Sequence, residues 1–265
     1  MDRNWIIRST WFYNVNPALK FGVIAALFIV GLFIHNLNTM IWLTGCFFVS
    51  YLLFTGLAKM ISFWLLFTAF ILAILSSTTM IFFGKGDHVL FQWHFLIISE
   101  ESLARGLHIG LRTFLYTVIG MLFATTTRPV QFFYSLMQQI KCPPKYAYGF
   151  LAAFRMLPIM YEEFYTIRAA MKVRGMDRKK GIKARYTKIK RYAIALLSQS
   201  IRRAQRTAVA MEAKRFSETS GRTYYYIMTY SRYDLVFIIT IAGLVAAAFW
   251  LSVAFPFTPY TNVLE

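Results

Sequence analysis

Long apolar runs, separated by short polar breaks, occupy both ends of the 265-residue chain. A helix needs about 20 predominantly apolar residues to cross the hydrocarbon core of a bilayer, and these runs approach or reach that length. The breaks, such as the polar turn at 35–38, are short. We therefore predict five membrane-spanning helices, near residues 19–35, 41–57, 61–83, 106–124 and 235–254.

The chain between the third and fourth predicted spans is less regular. Residues 84–88 break the apolar run, and the aromatic and aliphatic residues that follow, up to Arg105, are loosely spaced. This spacing is typical of a helix in the membrane interface, which we predict here. Arg112 interrupts the fourth span, and it either reaches the interface or meets a polar partner inside the bundle. Gly106 and Gly110 have the spacing that permits close helix contact.

Residues 128–234 show a second pattern, in which apolar side chains recur at the steps of a helix and cations fill many other positions. Pro158 is expected to kink the second of these helices, because proline removes a backbone donor and crowds the preceding turn. The first part of that helix, 146–161, is apolar enough to re-enter the membrane, so the number of spans within 128–165 is open. The predicted helices run over 128–139, 145–174 and 182–214.

The third of these helices has one continuous apolar face. An unbroken helix over 182–214 would be about 50 Å long, and such a face predicts packing against the second helix or against a partner in the membrane. The face includes Ile189, Leu197, Ile201 and Met211.

Composition places the chain among membrane proteins. With 58% hydrophobic and 18% aromatic residues, it is too apolar for a soluble domain and too long for a single anchor. We predict an all-α, polytopic helical membrane protein in three parts. These are an N-terminal membrane bundle at 1–127, a basic helical region at 128–234, and a last span with an external tail at 235–265.

The charge is concentrated in the middle part and predicts the orientation. The formal net charge is +18, and 128–234 holds 22 of the 29 Lys and Arg residues but 6 of the 11 Asp and Glu residues. Because basic residues near span ends stay on the cytoplasmic side, we expect the N-terminus and 128–234 in the cytoplasm and the C-terminus outside. The N-terminal residues lack the pattern of a signal peptide and are expected to be retained.

Few residues suit catalysis or metal binding. Cys46 and Cys142 stand alone, the four histidines form no HExxH spacing, and no glycine-rich loop has the P-loop pattern. Glu162 and Glu163 are neighbours that point in different directions on a helix, so they are expected to be solvated or paired with an arginine such as Arg155 or Arg168. We predict no catalytic residue, no metal and no cofactor. Nucleic acid is not an expected partner, since the basic helix keeps an apolar stripe.

Two short cassettes, at 169–176 and 209–216, end the second and third basic helices in similar ways. In each, an Ala- and Met-rich turn leads to one or two cations followed by an apolar residue. A cation at a helix C-terminus is also favoured by the helix dipole. Two such ends predict two docking points for an acidic partner. The ends consist of Val173-Arg174-Gly175 and Ala213-Lys214-Arg215.

The order and spacing of these features resemble the transmembrane T subunit of energy-coupling factor (ECF) transporters, the EcfT/CbiQ-like family of vitamin and metal-ion importers in the ABC superfamily. The resemblance covers most of the chain. It rests on Asn16-Pro17, Lys20, Gly106-Leu107, Arg112, Thr125-Thr126-Thr127-Arg128-Pro129, Pro143-Pro144, Phe154-Arg155-Met156-Leu157-Pro158, Arg174-Gly175, Met211-Glu212-Ala213, Gly221-Arg222-Thr223 and Asp234.

The resemblance implies a non-catalytic subunit in a bacterial plasma membrane, with ATP bound by two cytoplasmic ABC-type ATPase subunits. In the second motif, Lys stands where Arg is expected and Arg where Gly or Ser is usual, so either Lys214 or Arg215 fills the docking role. The residues implied to dock are Val173, Arg174, Gly175, Ala213, Lys214 and Arg215.

The resemblance also implies a membrane substrate-binding S subunit, against which the apolar face would act through Ile189, Leu197, Ile201 and Met211. The substrate is open between a thiamine precursor, another vitamin and a metal ion, because T subunits do not hold it. The alternative function is a basic, membrane-anchored structural or anionic-lipid-binding protein, since basic segments beside membrane spans attract anionic lipid.

Overall fold

A computed structural model describes residues 10–84, 89–93, 96–175, 181–216, 224 and 226–258. The predicted all-α class is confirmed, with one short antiparallel hairpin added to the described helices. A 3₁₀ turn at Trp11–Asn14 precedes α1. The helices are α1 Pro17–Phe33, α2 Leu37–Phe54, α3 Lys59–Phe83, α4 Glu100–Thr126, α5 Pro129–Gln139, α6 Pro144–Val173, α7 Ile182–Ala213 and α8 Arg232–Ala254, and the strands are β1 Val89–Trp93 and β2 Leu96–Ser99.

Four of the helices, α2, α3, α4 and α8, are long and apolar enough to cross a membrane, and α1 is a shorter apolar helix. These five correspond to the five predicted spans, so the protein is a multi-pass membrane protein. Neither α5 nor α6 meets the same criterion. The described part of the chain therefore adds no candidate span between 128 and 165.

Polar side chains at the helix starts explain why three spans begin before their apolar runs. Asn16 and Asn36 accept hydrogen bonds from backbone N–H groups in the first turns of α1 and α2. At the start of α8, Asp234 Oδ2 accepts a bond from the Ser231 backbone N–H at 2.8 Å. Such caps satisfy N–H groups that have no partner within the helix, so helical structure extends past the hydrophobic residues.

The predicted interfacial helix between residue 84 and Arg105 is wrong. Strands β1 and β2 pair there as an antiparallel hairpin, and α4 begins directly after it. The run is rich in Val, Ile, Phe and Trp, which favour strands. Ser99 then starts α4, because its Oγ accepts a bond from the Ser102 backbone N–H at 3.1 Å. The break at 85–88 lies outside the described residues.

The chain divides into two compact units. The first comprises residues 1–135 and 228–265, and the second comprises residues 136–227. In the first unit, side chains from α1, α2, α4 and α8 and the 3₁₀ turn share one hydrophobic core. Members of this core include Phe12, Met40, Phe47, Tyr51, Leu115, Ile119 and Phe237.

Small residues bring α3 and α4 close together within the first unit. A Cβ atom added to Gly110 would lie 3.0 Å from Ser77 Cβ, and one added to Gly106 would overlap the Ile81 side chain. A side chain at Gly106 would therefore force its neighbours to shift, and one at Gly110 would need them to give by a few tenths of an ångström. The close contact predicted from the spacing of the two glycines is confirmed.

Arg112 is half-buried and meets a polar partner at the end of a neighbouring helix. Its Nη2 donates a hydrogen bond to the Ile34 carbonyl oxygen at 2.9 Å, and His108 Nε2 lies 3.2 Å from the same oxygen. Ile34 ends α1, where carbonyl groups lack partners within the helix. The guanidinium thus caps a neighbouring span.

A buried polar network joins three helices at another end of the bundle. Lys20 Nζ donates to the Thr126 carbonyl oxygen at 3.0 Å, and Asp234 Oδ1 accepts from the Asn16 backbone N–H at 2.7 Å. Lys20 and Asp234 are almost fully buried. Buried charges require such partners, so the network fixes the start of α1 and α8 against the end of α4.

In the second unit, α6 and α7 pack side by side. The rings of Phe164 and Tyr192 meet edge to face at 5.6 Å, and Glu163 forms an ion pair with Arg203. Glu163 is therefore paired with an arginine of α7 rather than with Arg155 or Arg168. Helix α6 continues through Pro158.

Candidate functional site: two helix ends and one apolar face

The end of α6 is an exposed turn closed by a glycine. Arg174 follows the last helical residue, and Gly175 has φ = 74°, which glycine adopts without steric cost. The Gly175 backbone N–H donates to the Lys172 carbonyl oxygen at 3.0 Å. The side chains of Val173 and Arg174 are exposed, so this cation is available to a partner.

The end of α7 has the same backbone conformation. Lys214 follows the last helical residue, and Arg215 has φ = 54°. The Arg215 N–H donates to the Glu212 carbonyl at 2.9 Å, and the Phe216 N–H donates to the Met211 carbonyl at 2.9 Å. These two bonds form a Schellman motif, in which the residue after the cap has positive φ.

The shared hydrogen-bond pattern aligns the two ends residue by residue. Lys214 occupies the position of Arg174, and Arg215 occupies the position of Gly175. A non-glycine residue in the left-handed region costs about 1 kcal/mol relative to glycine. Two adjacent cations in the sequence do not reveal which one is the cap residue, but the backbone does. Their docking role stays a prediction.

The predicted contact face of α7 is largely open. No residue of α7 is buried within the described structure, and Ile189, Leu197 and Ile201 are each more than half exposed. Met211 is half-buried. Large exposed apolar patches are typical of surfaces that contact a protein or a membrane. Contact with a substrate-binding subunit remains a prediction.

The described structure brings together cations that the sequence pattern does not connect. Arg168 of α6 and Arg185 of α7 line one cleft, although the chain between the two helices separates them. Arg168 and Arg185 lie on different helices, so no helical periodicity in the sequence connects them.

Two spaces in the first unit differ in size and lining. A cavity in its core, beside Lys20 and Phe47, measures 10 Å³. A side groove between α3 and α4 measures 310 Å³, and its lining is apolar except for Thr44 and Ser77. Among the described residues no group of His, Cys, Asp and Glu is arranged to hold a metal ion.

Comparison with known proteins assigns the family. The family model for CbiQ, described as a cobalt transport protein, matches residues 8–225. The chain belongs to the CbiQ family. The resemblance drawn from the motifs is thereby confirmed, and the chain is a membrane protein of a transport family.

Curated relatives of this CbiQ-family chain carry one name, energy-coupling factor transporter transmembrane protein EcfT. The protein from Listeria innocua is 26% identical over 260 residues, which cover 93% of this chain and 96% of the relative. The Staphylococcus aureus protein is 27% identical over 231 residues, 82% of this chain and 84% of the relative. The Limosilactobacillus fermentum protein is 31% identical over 166 residues, 59% of this chain and 61% of the relative.

Proposed function

We propose that this chain is the transmembrane coupling (T) subunit of an ECF-type ABC importer for a vitamin, a vitamin precursor or a metal ion. The observation that carries the proposal is the shared cap conformation, since α6 and α7 each end in an exposed cation followed by a residue with positive φ. Membership of the CbiQ family and the name of the relatives support it.

The two ends are proposed to dock on two ABC-type ATPase subunits. Arg174 and Lys214 hold equivalent positions, so each is assigned the charge that meets a carboxylate on its ATPase. Arginine offers a planar pair of donors and lysine a single point charge, so the two contacts differ in geometry. The neighbouring residues that shape the ends are Val173, Gly175, Ala213 and Arg215.

The exposed face of α7 is proposed to contact a membrane S subunit that binds the substrate. Small-molecule sites usually occupy about 300–1,000 Å³ and combine an apolar lining with a few polar groups. The core cavity of 10 Å³ is too small for a vitamin, and the groove between α3 and α4 has no charged lining residue. A separate substrate-binding subunit accounts for both features.

The proposed mechanism is mechanical and needs no catalytic group in this chain. Closure of the ATPases on ATP would draw the two docked ends together. Helix α7 has 32 residues and is about 48 Å long, so it can carry this movement to a remote partner. The S subunit on its apolar face would then shift and open toward the cytoplasm. The proposal places the N-terminus and 128–234 inside and the C-terminus outside.

Reversing the charge of the helix ends tests this function. We expect the variant Arg174→Glu, Lys214→Glu, Arg215→Glu to lose co-purification of the ATPase subunits, because like charges would then face their carboxylates. The full chain is expressed with its ATPases and isolated from membranes by an affinity tag. The amount of each ATPase recovered is the measurement, and the amount of chain in the membrane fraction shows that insertion is retained.

A matched variant separates docking from general charge effects. Lys183→Glu, Lys190→Glu, Arg206→Glu makes the same change in net charge at exposed positions of α7 away from its end. This control is expected to retain the ATPases. Unchanged recovery with the end variant would reject the coupling function and favour the structural or lipid-binding alternative.

A further inference from the structure

A basic cleft lies between α6 and α7 in the second unit. Its volume is 490 Å³, which falls in the range of small-ligand sites. Arg168 contributes from α6, and Arg185 and Lys188 contribute from α7. Among the described residues that line the cleft there is no carboxylate. The apolar part of the lining consists of Phe164, Ile189, Tyr192, Ala193 and Leu196.

The same helix pair neutralises charge at another point along its length. Arg203 of α7 is paired with Glu163 of α6. Within the described residues, neither Arg168 nor Arg185 has a hydrogen-bond or ion-pair partner. Like charges gathered in one cleft repel each other, so an anion bound between them would be favoured.

The chemistry of the lining selects the class of anion. Arginine donors bind the oxygens of phosphate in a planar, bidentate geometry, and two arginines on opposite walls can hold one phosphate group from both sides. The rings of Phe164 and Tyr192, in edge-to-face contact, form an apolar surface beside the cations. The cleft therefore suits a phosphate that carries an apolar portion.

We propose that the cleft between α6 and α7 binds the phosphate group of an anionic phospholipid. The chain carries membrane spans, so phospholipid is present wherever the protein is found. The proposal does not depend on the docking of ATPases at the ends of α6 and α7. Ile189 alone among the cleft residues belongs to the predicted S-subunit face, so changes at Arg168 and Arg185 leave that face intact.

Lipid binding by the full chain tests the proposal. The purified chain in neutral detergent is titrated with phosphatidylglycerol, and bound lipid is counted by native mass spectrometry. We expect Arg168→Gln, Arg185→Gln to weaken binding by about a hundredfold, because each of the two lost charged hydrogen bonds is worth about one factor of ten. Phosphatidylcholine, whose headgroup has no net charge, is expected to bind weakly to both proteins.

The control removes one exposed arginine from each of the same helices. Arg155→Gln, Arg206→Gln changes net charge equally but touches no cleft residue, so it is expected to retain phosphatidylglycerol. Equal losses in both variants, or no phosphatidylglycerol binding to the unmodified chain, would overturn the proposal.

Two further arms distinguish the source of the anion. Inorganic phosphate, added as competitor, is expected to displace phosphatidylglycerol only weakly, since it lacks the apolar portion. Displacement at equal concentration would support the phosphate site but assign it to a soluble ligand. If the cleft variant lost an ATPase or S subunit while its lipid binding stayed unchanged, the cleft would bind a protein carboxylate and the proposal would be wrong.

Discussion

The glycines at 106 and 110 show how single residues set the spacing of spans. Apolar side chains of two membrane helices are no more attracted to each other than to lipid, so contact depends on close packing. Gly110 faces Ser77 and Gly106 faces Ile81 across the contact between α3 and α4. A methyl group added at Gly106 would overlap the Ile81 side chain, so the packing there has to shift.

Gly106→Ala is predicted to destabilise the bundle by about 1–3 kcal/mol, the usual range for overpacking a close contact. Gly120→Ala is the control on the same helix, because a Cβ at Gly120 meets no atom within 4 Å. Thermal unfolding of both variants in detergent measures the difference. Equal melting temperatures would show that the contact between α3 and α4 is looser than described.

Arg112 and Lys20 show what the sequence can and cannot say about cations in spans. The sequence demands a compensating environment for Arg112, because an unpaired charge is costly in a bilayer. It does not identify the partner. For Arg112 the partner is the carbonyl at the end of α1, and for Lys20 it is the Thr126 carbonyl. Backbone groups carry no residue-specific signal, so these pairs emerge only in the structure.

Among the elements, the ends of α6 and α7 combine one backbone motif with two different sequences. Gly175 suits positive φ, whereas Arg215 adopts it against its preference. The first end is therefore intrinsically favourable, and the second relies on its cap bonds and on the contact of Phe216 with Tyr148, whose rings lie 5.3 Å apart. Lys214, not Arg215, then corresponds to Arg174.

Two substitutions at the second end separate these roles. We predict that Lys214→Gln weakens binding of the ATPases by about tenfold, since it removes a charged hydrogen bond. Arg215→Gly is predicted to retain binding and to stabilise the end by about 1 kcal/mol. The affinity of the purified chain for the ATPases is measured for both variants. Arg174→Gln serves as the reference for the first end. The reverse order of effects would assign docking to Arg215.

Hydrophobic periodicity predicts most helices but misses the elements that depend on local polar bonds. It places α6 and α7 within a residue of their observed bounds, because long amphipathic runs carry a strong signal. It fails at the hairpin of β1 and β2, where a short apolar run fits either a strand or a helix. It also starts α2 too late, because Asn38 and Thr39 near its start are polar and are held by the Asn36 cap.

At the scale of the whole molecule, the chain combines a membrane unit with a basic unit of two long helices. Sequence patterns predict the two helix ends as sites, but they do not predict the cleft with Arg168 and Arg185. A repeated motif can be recognised in the amino-acid sequence, whereas a cleft between two helices depends on how those helices pack. Orientation is predicted from charge and remains to be measured.

The central claim is that the ends of α6 and α7 dock on ATPases in the cytoplasm. Photo-cross-linking tests it most directly, with a photoreactive amino acid placed at Val173 or at Ala213 in the assembled complex in cells. Gln199, exposed in the middle of α7, provides the control position. The account predicts cross-links to ATPase subunits from both ends and none from Gln199. Absence of ATPase cross-links from both ends, or equal cross-linking from Gln199, would contradict it.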